Sequence, residues 1–243
     1  MLDYDASTYG DRMADVYDEW FAVPTDAGDA VAFLSDLGGS GPVLELGIGT
    51  GRIALPLAQR GHRVHGVDAS EAMVQKLRGK EGGTGIPVTI GDFAELDVEG
   101  DFSLVYVVFN TFFALLSQED QVRCFSNVAR RLQEGGDFVI EAFVPDMTRW
   151  DRDRRMEAQR VANDSVVLGA ARHDPVEQRV VSNHLLVFEG GVKFYPVRLR
   201  YAWPAELDLM ARLAGLRLRE RWGGWGREPF VGSSVKHVSV YER

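Results

Sequence analysis

Cysteine is almost absent from this chain, with Cys124 the single one in 243 residues. That excludes an intramolecular disulfide and a metal cluster built from the chain's own cysteines, and it favours a reducing compartment. Long apolar runs are missing as well. No stretch approaches the roughly 20 residues that a membrane-spanning helix requires, and Met1 to Asp18 carries several acids and no apolar core of signal-peptide length. The expectation is a cytoplasmic protein with no membrane partner. Dense runs of positive charge are lacking too: 27 Lys and Arg stand against 36 Asp and Glu, for a net charge of -9, which argues against nucleic acid as a partner. The most basic stretch, Arg149 to Arg160, interleaves Asp151, Asp153 and Glu157 among its arginines and reads as a solvated helix face.

What is present is ordinary for a globular protein, 45% apolar and 26% charged. The length suits one large core rather than two independent ones. We therefore expect a single domain over 1–243, with a helical cap at 1–40, an α/β core at 41–145, a β-rich insertion at 146–203 and a closing helix and strands at 204–243.

In the cap, Met13, Val16, Tyr17 and Trp20 form one helical stripe and Val31, Leu34 and Leu37 a second. Val43 to Leu46 is an apolar strand that runs into Gly47-Ile48-Gly49-Thr50-Gly51, with a helix from Ile53 to Arg60 behind it. Val64 to Asp68 is the second strand, and Ser70 is placed to cap the next helix. A third strand spans Pro87 to Ile90, and a fourth, Phe102 to Phe109, is apolar almost throughout, as a strand covered on both faces must be. A helix from Gln118 to Leu132 and a turn at Gly135-Gly136 lead to a fifth strand, Asp137 to Phe143. Strands alternating with helices predict a doubly wound, Rossmann-like, mostly parallel seven-stranded sheet, completed by Leu216 to Trp222 and Val235 to Tyr241. Ser165 to Ala171, Arg179 to Phe188 and Lys193 to Trp203 have no helices between them and read as an antiparallel β insertion over one end of that sheet. Pro204 starts a helix reaching Leu213. The loop Gly223-Gly224-Trp225-Gly226 reads as exposed.

A glycine loop between strand and helix lets a ligand approach the backbone closely. Asp68 ends the next strand, about twenty residues on, where a carboxylate can accept both hydroxyls of a ribose. Together these residues indicate a nucleoside without deciding which, because Gly49-x-Gly51-x-x-Ala54 also satisfies a dinucleotide fingerprint.

Val43-Leu44-Glu45-Leu46-Gly47-Ile48-Gly49-Thr50-Gly51 resembles the first motif of class I S-adenosylmethionine-dependent methyltransferases, in particular those acting on small molecules. Asp68-Ala69-Ser70-Glu71-Ala72-Met73 is similar to that family's ribose-binding acid and following helix, and Gly91-Asp92-Phe93 resembles its adenine corner. The likeness is good over about 40–145 and thins across the insertion. It implies S-adenosylmethionine as cofactor, with Glu45 and the backbone of Gly47, Gly49 and Gly51 around the methionyl end, and Asp68 with Ala69 at the ribose. Asp92 falls near the adenine amino group, Met73 and Phe93 on either side of the ring, and Phe109 and Asn110 beside the methionyl group. Arg52 is a candidate for the cofactor carboxylate. Two other readings stay open: a NAD(P)-dependent oxidoreductase, disfavoured by Glu45 and Asp92-Phe93, and a non-catalytic module that only holds the cofactor.

The resemblance implies a small-molecule acceptor, such as a sugar or secondary metabolite, methylated on oxygen or nitrogen. Displacement at a sulfonium methyl rests on positioning, and a base is needed only if the nucleophile arrives protonated. Tyr9 and Tyr17 lie on the segment that folds over the cofactor in similar enzymes, where an aromatic face favours the sulfonium; Gly10 beside Tyr9 suggests a mobile lid. His173, His184 and His237 are candidate bases, as is Glu141 on the carboxyl edge of the fifth strand. Nothing in the sequence sets the oligomeric state.

Overall fold

The computed structural model describes residues 4–21 and 26–243; of the segment read as a helical cap, residues 1–3 and 22–25 lie outside the described residues. The stripe from Met13 to Trp20 is two short helices, α1 (Thr8–Met13) and α2 (Tyr17–Trp20), and α3 spans Ala27–Gly38. Gly10 is buried, not a hinge: a Cβ there would sit 2.4 Å from the Cβ of Ser70. The glycine therefore lets α1 press on the core, and Ser70 Oγ donates to Asp11 at 2.6 Å across that contact.

The core begins with β1 (Pro42–Leu46), α4 (Ala54–Gln59), β2 (Arg63–Asp68), α5 (Glu71–Arg78), β3 (Val88–Ile90) and β4 (Phe102–Val107). Ser70 caps α5 as expected, accepting from Met73 N. The helix α6 (Gln118–Arg131) is capped by Ser117 and followed directly by β5 (Leu132–Phe143). Gly135 and Gly136 are thus a bulge inside a strand and not a turn before it, because pairing with β4 jumps from Phe102↔Leu132 to Leu104↔Asp137. Gly135 has φ +71°, and a Cβ on Gly136 would approach three carbonyl oxygens at 3.0–3.2 Å; the backbone needs both glycines there.

After β5 come β6 (Arg154–Val161), β7 (Ser165–Asp174), β8 (Arg179–Phe188) and β9 (Gly191–Arg200), then α7 (Pro204–Leu213), β10 (Arg217–Trp222) and β11 (Lys236–Glu242). The main sheet has the order β10-β11-β5-β4-β1-β2-β3, and only β11 runs against its neighbours β5 and β10. Strands β6 to β9 form a separate antiparallel sheet.

The basic stretch read as a helix face is strand β6. Its alternation puts Arg155 and Glu157 on one face and Met156 and Ala158 on the other, and charge on the inward face hid the period of two. Likewise, Trp225 is 4% exposed and packs edge-on against Phe33 at 5.5 Å, so of the segment read as exposed Gly224 and Trp225 are buried while Gly226 is exposed. Tyr201 to Trp203, read as strand, connect β9 to α7.

The insertion is tied to the core by Arg200 at the end of β9. Its guanidinium reaches Gln121 Oε1 of α6 at 2.6 Å and Glu206 Oε1 of α7 at 2.7 Å, while Gln178 Nε2 donates to the other Glu206 oxygen at 2.7 Å. Arg200 thus belongs to a buried, satisfied ion pair.

Candidate active site

The strand order reverses between β1 and β4, and at that switch point the carboxyl ends of the strands open a crevice. A cavity of about 230 Å³ fills it. Gly47, Gly49, Asp68, Ala69, Met73, Asp92 and Phe93 line the cavity, as do Tyr9 and Tyr17 from the two N-terminal helices. The motifs from three successive strand ends therefore converge on one space.

Each glycine of the loop after β1 has a positive φ, but for different reasons. A Cβ on Gly47 would sit 2.4 Å from Thr111 Cγ2 and one on Gly51 2.4 Å from Leu77 Cδ1, whereas one on Gly49 meets no heavy atom within 4 Å. Gly47 and Gly51 let protein pack on the loop, and Gly49 leaves the cavity clear. Asp68 braces the turn, since its two carboxylate oxygens accept from Gly49 N at 2.7 Å and Ser70 N at 2.9 Å. Each oxygen keeps lone-pair capacity for a further donor. Burial holds the Asp68 pKa above its ordinary value, opposed by those two backbone bonds. Asp92 accepts from Ala94 N at 2.8 Å through one oxygen.

Glu45 stands under the loop and outside the cavity lining. It is 3% exposed and accepts from Tyr106 Oη at 2.9 Å. Burial pushes its pKa up to about 8. The folded state then holds a proton that the unfolded chain releases above its ordinary carboxylate range. Stability from this group is full below about pH 4.5 and is lost as pH rises toward 8. We predict that Glu45→Gln, which keeps an acceptor for Tyr106, flattens this decline by on the order of 1 kcal/mol per pH unit. Urea unfolding of wild type and variant at pH 5 and pH 8 checks it; parallel pH slopes would refute it.

Strand β4 stops at Val107, two residues earlier than the apolar run suggests, because Phe109 and Asn110 adopt φ +56° and +66°. Left-handed backbone at non-glycine residues costs about 1–2 kcal/mol each and needs support. Glu141 supplies it: its carboxylate accepts from Phe109 N at 2.5 Å and its carbonyl from Asn110 N at 3.3 Å. Asn110 Oδ1 in turn accepts from Phe143 N at 2.7 Å. Glu141, a candidate base by sequence, lines neither this cavity nor the larger one described below, and its carboxylate is engaged in shaping the bend. Arg52 lies over the Phe109 ring at 4.2 Å, and, like Phe109 and Asn110, it is beside the cavity without lining it.

Tyr9 and Tyr17 both have phenols raised by burial. The helices that carry them are tied down on the core side, Asp18 accepting from Thr50 Oγ1 at 2.6 Å and pairing with Lys80 at 2.8 Å. Sequence reasoning missed Tyr4, Asp5 and Ala6, and also Thr111 and Ala114 to Leu116, which join Gly10 and Asp120 in the lining. The second group directly follows β4, so the carboxyl-end rule that picked Asp68 and Asp92 would have found it.

A second cavity, about 770 Å³, lies between the β6–β9 sheet, the segment after β5 and the Gly232–Val235 loop. Trp150, Tyr201, Trp203 and Phe143 give it an aromatic side, and Gln159, Ser182 and His184 a polar one. His184 Nδ1 lies 2.6 Å from Gln159 Oε1; burial lowers its pKa, opposed by the Glu157 charge. His173 is stacked on Trp150 at 4.7 Å and shares a 2.9 Å hydrogen bond with Tyr201 Oη. His237, on strand β11, is fully buried, bonds Ser239 and is pushed down to about 3 by burial, so it is a core residue with no opening to either cavity.

Comparison with known proteins agrees with this geometry. Residues 43–136 match the family described as a methyltransferase domain. The cypemycin N-terminal methyltransferase of a Streptomyces species is 30% identical over 243 residues, 98% of this chain and 99% of that protein. The chain belongs to the class I S-adenosylmethionine-dependent methyltransferases. The structure of the CcbJ methyltransferase from Streptomyces caelestis superposes on this methyltransferase with a TM-score of 0.92 at 43% identity, covering 98% of each chain. CalS10, an amino pentose methyltransferase from Micromonospora echinaspora solved with its cofactor, shares the fold at a TM-score of 0.71 and 19% identity, over 100% of this chain and 98% of its own. The cofactor is S-adenosylmethionine, and the crevice suits it: an open glycine position, a half-buried carboxylate at the second strand end, and Met73 with Phe93 as apolar lining. Among the described residues no helix is long and apolar enough to cross a membrane.

Proposed function

We propose that this methyltransferase transfers a methyl group to an amine nitrogen of a small molecule, a secondary metabolite or sugar, held in the cavity of about 770 Å³ under the β6–β9 sheet. The observation that carries the reading is that cavity itself, about 770 Å³ with an aromatic side and a hydrogen-bonding side, reaching from the β6–β9 sheet to the carboxyl end of β5 at Phe143. A volume of that order suits a small organic molecule and not a polymer. The full-length relative named for cypemycin acts at an N-terminus, which favours nitrogen over oxygen.

S-adenosylmethionine, when bound, supplies a methyl carbon made electrophilic by its sulfonium. Asp68, Ala69, Met73, Asp92 and Phe93 would hold its nucleoside, and the loop from Gly47 to Gly51 its methionyl part, with Glu45 and Arg52 supporting from behind and Phe109 and Asn110 shaping the end of β4. Tyr9 and Tyr17 would present aromatic faces to positive charge and keep water out. An amine enters as ammonium at neutral pH and must lose a proton before it can attack. His184 suits that task. Gln159 Oε1 accepts, which assigns the imidazole proton to Nδ1 and leaves Nε2 with a lone pair, and a lowered pKa keeps the ring neutral near pH 7. Glu141 acts by positioning Phe109.

Incubating the protein with methyl-labelled S-adenosylmethionine and a panel of amine- and hydroxyl-bearing sugars and metabolites tests this reading. Label is expected on amines; label confined to hydroxyls contradicts it. For whichever acceptor is labelled, Trp150→Ala is expected to raise KM by about tenfold or more with cofactor affinity unchanged, as loss of one aromatic wall requires.

A further inference from the structure

The β6–β9 sheet has two faces, and the acceptor cavity explains the inner one. On the outer face the register aligns Met156, Leu168, Val181, Val187, Val192 and Phe194. These are strand residues on which water would stand: Met156 is 71% exposed, Phe194 58%, Val192 50% and Val181 48%. A contiguous apolar face of this kind on a folded domain marks an interaction surface.

We infer that this outer face is where a second copy of the chain docks, sheet against sheet, forming a two-fold homodimer. Three observations select that occupant. The first is extent: four strands about 4.8 Å apart and about eight residues long at roughly 3.3 Å per residue give about 500 Å² of flat projection per copy. Two such faces bury roughly 1,000 Å² before side-chain relief is counted, which reaches the size of a specific interface.

The second is charge. At one end of the face stand Arg154, Arg172, Arg179 and Arg198, with Asp153, paired to Arg154 and Arg172, Asp174, and Glu177 of the β7–β8 turn leaving a net excess of one positive charge. At the other end the β6–β7 and β8–β9 turns carry Asp164 and Glu189. A two-fold axis lying in the interface and crossing the strands sets each acidic end over the other copy's arginine end, and sets Phe194 over the row that holds Arg198. An axis along the strands would instead stack like charges. The face is thus complementary to itself.

The third is that growth by edge pairing is blocked on one side. Arg198 N, on the outer edge of β9, already donates to Tyr4 Oη at 3.1 Å, and α1 packs along that strand. Beside that edge Val181, Phe194 and Arg198 line a groove of about 900 Å³ together with residues of the 4–16 segment, and the rest of the face is open where the edge is closed. Dimerisation would also stiffen the sheet whose inner side carries His184 and Ser182.

Light scattering coupled to size-exclusion chromatography on the full chain tests the inference. Wild type is expected at twice the 27.0 kDa chain mass. Phe194→Arg, which faces arginine with arginine, is expected to raise the dimer dissociation constant at least about 100-fold and give monomer, while Phe194→Glu weakens the dimer far less. Glu189→Arg lies in an exposed turn that can tolerate the change, so it serves if the strand variant fails to fold. It is expected to weaken the dimer about tenfold, with wild-type dissociation rising with salt. A wild type that is monomeric at all concentrations overturns the inference, as does a dimer indifferent to both Phe194→Arg and Glu189→Arg.

Discussion

Gly49→Val is expected to fold normally and to lose S-adenosylmethionine binding by at least about 1,000-fold. The three glycines of the loop differ in what an added side chain would meet. At Gly47 and Gly51 an added Cβ collides with Thr111 and Leu77, so substitution there disturbs packing as well as the site. At Gly49 the new side chain meets no protein atom within 4 Å and projects into the cavity that the three strand ends define. The cost to folding is the strain of φ +54° at a branched residue, about 1–2 kcal/mol. The cost to binding is steric exclusion, which has no comparable upper bound. A calorimetric titration and a thermal melt on the same preparation separate the two. Full-strength binding by the variant would show that the cofactor does not pass over this loop.

Asp68→Ala is expected to weaken cofactor affinity by roughly 10- to 100-fold, the effect of losing buried hydrogen bonds to a charged group, about 1.5–3 kcal/mol. Two contributions are combined in that figure. In the proposed binding mode the carboxylate accepts at the ribose position, and it also holds the loop by accepting from Gly49 N and Ser70 N. Asp68→Asn separates them, because an amide retains one oxygen for the backbone and turns the other position into a donor. If the ribose contact dominates, Asn is as damaging as Ala; if loop bracing dominates, Asn recovers much of the affinity. Unchanged affinity in both variants would remove Asp68 from the site.

Much of this arrangement could be read from the residues. The doubly wound sheet was legible because strand, glycine loop and helix repeat with few interruptions, and the crevice because Gly47 to Gly51, Asp68 and Asp92 each sit at the end of a strand. What the sequence hid shares a physical cause. Strand β6 was concealed because Arg155 and Glu157 face inward, reversing the usual charge-out pattern. The early end of β4 was concealed because Phe109 and Asn110 are ordinary residues held left-handed by a carboxylate 32 residues from Phe109 in sequence. Gly10 read as a flexible neighbour of Tyr9, yet its missing side chain makes room for Ser70, a contact that only the tertiary fold can supply. Roles that depend on local pattern were readable, and roles set by long-range packing were not. Glu141 shows the difference in one residue: its place on the carboxyl edge was correct, while its partner, Phe109 N, is invisible to spacing rules.

The most direct test of the account is a pair of calorimetric titrations on the wild-type protein, one with S-adenosylmethionine and one with NADPH. The converging strand ends predict saturable one-to-one binding of the sulfonium nucleoside, competed by its demethylated product, and no heat from NADPH. Binding of NADPH with S-adenosylmethionine silent would contradict it.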